Sequence, residues 1–287
     1  MKYEAPSTID DAIALLADAQ AAASVLSGGT DLLVRMRADM AAPGAIVDIK
    51  RIPALNEITE TADGWRIGAA VPSAVMSEHD GLARDWPGVV EAAALIGSTQ
   101  VQGRATLAGN LCNASPAADS VPAMVAASAK VEIAGPGGTR TVPVEEIPTG
   151  PGKTSLAAGE FVTAILLPKR AALSGDAYLR FIPRTEMDIA VAGCGIALSL
   201  DDTGTCQSAR VALGAVGPTV ILAADAASAL IGTKLDDAAL EALAAACSAA
   251  ATPIDDKRGT AAYRKHVIGV LAKRAAKIAY ARAGETA

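Results

Sequence analysis

Residues 106–124 read TLAGNLCNASPAADSVPAM, and their character decides how the rest of the chain is read. Gly109, Asn110, Asn113, Ser115, Pro116, Asp119 and Pro122 are packed here between two apolar segments. No His, Lys or Arg sits inside the stretch to serve as acid, base or charged clamp. So long and polar a loop, without a histidine or a lysine, suits binding better than acid–base chemistry.

The surrounding chain has 287 residues, which suggests about two domains of ordinary size. It is 51% hydrophobic and only 3% aromatic. Ala, Val, Leu and Ile make up most of the apolar content, which favours tight packing of small side chains. A net charge of −6 and a pI near 5.0 argue against a general nucleic-acid surface. No apolar run approaches the ~20 residues that span a bilayer. The N-terminus, MKYEAPSTIDD, lacks the basic-then-apolar layout of a signal peptide. The expected location is cytoplasmic.

Cys112, Cys194, Cys206 and Cys247 form no C-x-x-C pair, which argues against a zinc or iron–sulfur site within the chain. Reduced, mostly buried thiols are expected. His79, in the turn-like SEHDG, and His266, in a basic helical pattern, read as surface histidines.

Along the chain, Ser7 and Asp10 stand at capping-box spacing before Ile9, Ile13 and Leu16, predicting a first helix. AAASVL predicts a strand, Gly28-Gly29 a turn, and Leu32, Leu33 and Met36 a helix. GAIVDI and GWRIGAAV read as strands, and PGVVEAAALIGSTQVQG as one helix running into the opening loop. VPAMVAASAKVEIAG suggests a short helix and a strand, with PGGT turning into the antiparallel partner RTVPV. GEFVTAILLP is a further strand, and 169–177 a linker. Beyond it come three strand-like runs, AYLRFIPR, IAVAGCGIALSL and SARVALGAV, then two helices. In the last helix Val267, Leu271, Ala275 and Ile278 form an apolar stripe opposite a solvated basic face. Without regular βαβ alternation, the pattern points to α+β.

Two glycine loops are chemical candidates. In VLSGGTDLL (25–33), Gly28 and Gly29 permit a sharp turn and close approach of backbone to a ligand. Exposed N–H groups at a helix start suit phosphate oxygens, and Ser27 and Thr30 add hydroxyls. The loop is neither a Walker A nor a G-x-G-x-x-G sequence, and GCGIAL at 193–198 carries only half of the latter, inside a strand. In the opening stretch Thr106, Gly109 and Asn110 offer a hydroxyl, a glycine and an amide. Asp119, thirteen positions after Thr106, suits sugar hydroxyls. The pair would fit a dinucleotide, and the loops alone leave two structural turns equally open.

In order, YEAPSTIDDAIALL, SGGTDL, ATLAGNLCNASPAADSVPAM, GEFVTAILLP, YLRFIPRTEMDIAVAG and GTAAYRKHVIGVLAKRA resemble the flavin-binding medium subunit of the molybdenum hydroxylases. That family includes the flavoprotein subunit of carbon monoxide dehydrogenase and the FAD domain of xanthine dehydrogenase, and the resemblance covers essentially the whole chain. It implies a two-subdomain FAD-binding domain of the vanillyl-alcohol-oxidase/PCMH type over 1–175, with subdomains about 1–55 and 56–175. A C-terminal α+β domain with a small antiparallel sheet and helices would follow over 176–287.

The same resemblance implies that Val25, Leu26, Ser27, Gly28, Gly29, Thr30, Asp31 and Leu32, with Thr106, Leu107, Ala108, Gly109 and Asn110, hold the FAD diphosphate. Asp119 matches an acid that binds the adenosine part. Ile96 and Val162 fall where relatives place apolar residues against FAD, Arg180 where they use Lys near the flavin, and Ile189 close to the isoalloxazine ring. Relatives commonly read A-G-G where this chain has Ser27-Gly28-Gly29, and G-G-N where it has Ala108-Gly109-Asn110. Ala keeps close backbone approach if φ stays negative, so FAD binding is expected to survive. No cysteine group could hold the extra cluster of the 4-hydroxybenzoyl-CoA reductase branch.

The implied role is an electron relay that itself carries no catalytic residue or metal. Partner subunits would hold a molybdenum–pterin cofactor and two [2Fe-2S] clusters, in a dimer of heterotrimers, while FAD here passes electrons to an outside acceptor. The alternatives are a stand-alone FAD-dependent reductase of the same superfamily, or an assembly module that has lost FAD.

Overall fold

The computed structural model describes residues 1–18 and 23–285. The first 48 residues form a small parallel unit: β1 (Lys2–Glu4), α1 (Ile9–Asp18), β2 (Ala23–Leu26), α2 (Leu32–Arg37) and β3 (Ala45–Asp48). The strands lie in the order β1-β3-β2, and β3 is parallel to both neighbours. β2–α2–β3 is therefore a βαβ unit, and its first turn, at the carboxyl end of β2, is the Gly28-Gly29 loop. Ligands commonly bind at that end of such strands.

β4 (Ile58–Thr61) and β5 (Gly64–Gly68) form a hairpin, followed by five short helices: α3 (Ser73–Ser77), α4 (Asp80–Asp85), α5 (Pro87–Ala94), α6 (Thr99–Gln102) and α7 (Leu107–Cys112). Then come α8 (Ser120–Ala126), β6 (Lys130–Gly135), β7 (Gly138–Pro143), the small pair β8 (Pro148–Gly150) and β9 (Lys153–Thr154), and β10 (Phe161–Pro168). A five-stranded antiparallel sheet runs β4-β5-β10-β6-β7. Its central strand β10 is buried along almost its whole length, and a β-bulge between Val162 and Ala164 bends it.

The last third holds β11 (Ser174–Phe181), β12 (Ala192–Leu200), β13 (Cys206–Gly214), β14 (Ile221–Leu222), α9 (Ala224–Ser228), α10 (Asp237–Ala250) and α11 (Ala261–Glu285). The four strands make an antiparallel sheet in sequence order. Small residues set its spacing. A Cβ on Gly175 would overlap the Ala279 carbonyl on α11, and one on Gly195 would overlap the Pro122 carbonyl on α8. Two apolar cores result. One is built by the two N-terminal sheets with α5, α7 and α8; the other by the C-terminal sheet with α10 and α11.

Several local expectations move. The first helix is boxed by Thr8 and Asp11: Thr8 Oγ1 accepts from the Asp11 N–H at 3.1 Å and donates to its carboxylate at 2.7 Å. The helix expected over 87–103 breaks at Gly97, whose φ of +67° lies in the left-handed region. The expected linker shortens, because β11 starts at Ser174. α11 buries Arg264, Ile268, Leu271, Ala272, Ala275, Ala276, Ala279 and Ala283, so its apolar stripe is rotated from Val267 and Ile278. Arg264 is no solvated basic residue. Only 4% exposed, it donates to the carbonyls of Val191 and Ala215 and pairs with Asp256 at 2.7 Å. His79 caps α4, its Nδ1 accepting from the Leu82 N–H at 3.1 Å, with its ring edge-on to Trp65. The four cysteines are free, with Cys194, Cys206 and Cys247 buried. Among the described residues no helix is long and apolar enough to cross a membrane.

Candidate functional site

The site begins where β2 ends. Ser27, Gly28 and Gly29 carry the chain from Leu26 into α2, and Gly29 turns it with a φ of +82°. Gly28 packs so closely on the second loop that a Cβ there would overlap the Arg104 carbonyl. Ser27 Oγ donates to the Ala69 carbonyl at 2.7 Å and lies 3.1 Å from Thr106 Oγ1. Thr106 is the N-cap of α7, its Oγ1 accepting from the Gly109 N–H at 2.9 Å.

The protons in this set run one way. With the Ser27 hydrogen on Ala69 and the Thr106 oxygen accepting from Gly109, Thr106 must donate to Ser27. The relay Gly109–Thr106–Ser27–Ala69 thus ties the two loops to each other and to the end of β5.

Between the loops lies an open cleft of about 240 Å³. Of the residues singled out in the sequence, Val25, Ser27, Gly28, Gly29, Thr30, Asp31, Leu32, Ile96, Thr106, Ala108, Gly109, Asn110 and Val162 line it. Leu26 and Leu107 are buried and do not. Cys112, Asn113, Arg35, Glu160 and Phe161, to which the sequence alone assigns no role at the site, also line it. Cys112 and Asn113 belong to the opening stretch itself, and Glu160 and Phe161 directly precede Val162, so adjacency was the available signal.

Asp119 and Arg180 lie off the cleft wall and hold each other, Arg180 Nη1 donating to Asp119 Oδ2 at 2.6 Å. The pair joins the start of α8 to β11. Burial pushes the Asp119 carboxyl up to about 6, against the pull of the Arg180 guanidinium. Asp119 Oδ1 is buried without a partner among the described residues. Ile189 is 50% exposed and borders a second cavity of about 330 Å³ with Ser115, Pro116 and Arg264.

Two cleft groups have their chemistry fixed by their surroundings. Arg140 donates to both oxygens of Glu160 at 2.8 Å, and with the Ala157 N–H holds its carboxyl down to about 2. Burial pushes the Cys112 thiol up to about 12, so it is no thiolate. None of the residues lining the cleft is a His or Lys. Among the described residues no group of three His, Cys, Asp or Glu side chains could hold a metal. Besides the carboxylates of Asp31 and Glu160, the cleft offers hydroxyl, amide and backbone N–H donors and the Arg35 guanidinium, and these donors suit an anion.

Comparison with known proteins covers the whole length. Residues 1–170 match the family model described as the FAD binding domain in molybdopterin dehydrogenase, and 177–279 that of the CO dehydrogenase flavoprotein C-terminal domain. The chain is 34% identical over 284 residues to a putative xanthine dehydrogenase FAD-binding subunit of Escherichia coli K12, covering 98% of this chain and 97% of the relative. It is 34% identical over 281 residues to the carbon monoxide dehydrogenase medium chain of Afipia carboxidovorans, with the same coverage. Its structure superposes on a chain of reconstituted CO dehydrogenase from Oligotropha carboxidovorans with a TM-score of 0.94, at 34% identity and covering 98% of each chain.

Proposed function

This chain belongs to the family of FAD-binding flavoprotein subunits of the molybdenum hydroxylases, and from that premise we propose that it holds FAD in the cleft between its two glycine loops and relays electrons within a multi-subunit dehydrogenase. The single observation that carries the placement is the 3.1 Å contact of Ser27 Oγ with Thr106 Oγ1, which brings both loops to one cleft.

The residues present fit the cofactor. The backbone N–H groups of Gly28, Gly29, Thr30 and Asp31 have no acceptor among the described residues. Successive free N–H groups in a turn make a concavity for anionic oxygens. The cleft lies directly between the two loops and is open to solvent, so the diphosphate middle of an extended ligand would sit at the glycines while its ends continue outward. Asp119, buried beside Arg180 and Tyr178, lies off this cleft and is not needed for the diphosphate grip.

FAD, when bound, supplies two-electron redox chemistry; the protein supplies binding, orientation and electrostatics. Ser27, Gly28, Gly29, Thr30, Thr106, Gly109 and Asn110 would grip the diphosphate, with Ile96 and Val162 as apolar walls. Arg140 neutralises the cleft carboxylate Glu160, which would otherwise repel the phosphates. Held ionised, Glu160 is no proton donor, which speaks against a self-contained reductase using it. We place the FAD-binding unit at 1–175 and the C-terminal unit at 176–287, seated on it through Asp119 and Arg180.

Relatives are medium chains of larger enzymes, so partner subunits follow. We assign the molybdenum–pterin cofactor to a large partner and two [2Fe-2S] clusters to a small one, assembled as a dimer of heterotrimers in the cytoplasm.

An absorption spectrum of the purified chain tests the cofactor, and co-purification with subunits containing molybdenum and iron–sulfur clusters tests the role. A chain that takes up no flavin when supplied with FAD removes the first. A flavin-loaded chain that assembles with no such subunits removes the second.

A further inference from the structure

Asn110, on α7, is one of the residues that line the cleft, and its side chain is gripped by a second helix. Its Oδ1 accepts from the Ser120 backbone N–H at 3.2 Å and from Ser120 Oγ at 2.7 Å. Ser120 opens α8, where backbone N–H groups have no partner within the helix. Asp119 occupies the N-cap position but makes no capping bond, its carboxylate being turned to Arg180. Asn110 therefore caps α8 from outside it.

A side-chain amide has one accepting end and one donating end. Two donors on the same atom decide which is which, because a reversed amide would set Nδ2 hydrogens against the Ser120 N–H. With Oδ1 committed, the two Nδ2 hydrogens have no acceptor among the described residues, while the residue lines the cleft. Ser120 is 0% exposed and cannot itself reach a ligand there.

We propose that Ser120 is a positioning residue for the cofactor: by holding Asn110 Oδ1 it leaves the Nδ2 donors for an acceptor oxygen of bound FAD. This rests on the functional reading above, and on that reading Ser120 acts wholly through Asn110. The ion pair of Asp119 with Arg180 keeps the start of α8 in place, so the amide's orientation is anchored in turn to β11. An acceptor oxygen on the ligand is thereby chosen over a donor.

The test uses the full chain as wild type, Ser120→Ala, Asn110→Ala, the double variant and Asn110→Asp. FAD affinity is titrated by flavin fluorescence, the visible spectrum of each loaded chain is recorded, and the FAD-free chains are melted. Ser120→Ala removes the 2.7 Å hydroxyl bond while its backbone N–H stays on Oδ1, and it is expected to weaken FAD binding about three- to tenfold, the net worth of one hydrogen bond. The double variant binds no more weakly than Asn110→Ala, because residues acting through one another are not additive. Asn110→Asp keeps an oxygen for Ser120 but replaces the donors by an acceptor, and weakens binding at least as much as Asn110→Ala. Wild-type affinity in Ser120→Ala or in Asn110→Asp, or losses that multiply in the double variant, overturns the proposal. A wild-type chain that takes up no FAD overturns the functional reading and this inference with it.

Discussion

Ser27 Oγ and Thr106 Oγ1 lie 3.1 Å apart although 79 positions separate them in the chain. The contact is the middle link of a relay that starts at the capped N–H of Gly109 and ends on the Ala69 carbonyl. The second loop therefore holds the first in the conformation that leaves the N–H groups of Gly28, Gly29, Thr30 and Asp31 free, so the cleft is organised before any ligand arrives.

Thr106→Ala removes both the cap of α7 and the tie to Ser27. Loss of such a cap costs about 1 kcal/mol, which denaturant unfolding of the FAD-free chain would register. Flavin affinity is expected to fall by about tenfold, because the second loop loses its fixed approach to the first. Thr106→Ser, which keeps the hydroxyl, should restore most of both.

Gly28→Ala is expected to be far more damaging. Its new methyl would overlap the Arg104 carbonyl, a backbone atom that can move only if the loops separate. We expect loss of flavin loading together with destabilisation of about 1–3 kcal/mol, the usual cost of overpacking. Gly137→Ala is the matched control, since a Cβ there meets nothing within 4 Å. Absorbance per chain and melting temperature read both.

Asp119 predicts a pH dependence. Its folded-state pKa of about 6 lies above the ordinary 3.8, so the folded chain binds the proton more tightly than the unfolded one. The contribution of this group to stability is complete below about 3.8 and is lost as pH rises through about 6. Compared with Asp119→Asn, which does not titrate, the wild-type FAD-free chain should lose ground between pH 4 and 6 and hold a constant difference above pH 7. Urea unfolding of the pair at several pH values measures that difference, and a flat difference would show that the carboxyl does not titrate in this window.

Arg140→Ala leaves the Glu160 carboxylate unpaired beside the proposed phosphate site. Flavin binding should weaken severalfold and become more sensitive to salt. Arg140→Ala/Glu160→Gln, which removes the uncompensated charge, should recover most of the affinity in the same titration.

Much of this was legible in the sequence for identifiable reasons. The glycine-bearing turns, the strand GEFVTAILLP and the hairpin at PGGT each carry their own local cause, in turn chemistry or in a run of β-formers. The apolar pattern over 87–103 continues past Gly97 and reads as one helix, but the left-handed φ of Gly97 ends it. The basic face of the last helix, to which Arg264 belongs, reads as solvated because helical periodicity reports a face and not a partner. The carbonyls of Val191 and Ala215 that draw Arg264 inward lie 73 and 49 positions away. The family resemblance gives Asp119 and Arg180 separate places at the cofactor, and no spacing rule indicates that they hold one another.

By itself the sequence determined which segments turn, which runs form strands, and that the binding loops would carry hydroxyls and amides without a histidine or lysine. Only the tertiary structure decided that Ser27 meets Thr106, that Asn110 is oriented by Ser120, and that Arg140 holds Glu160 ionised at the cleft. The physical reason is that turn and strand preferences arise between neighbours in the chain. The hydrogen-bond partners of buried polar groups are set by whichever elements packing brings together, and these need not be near in sequence.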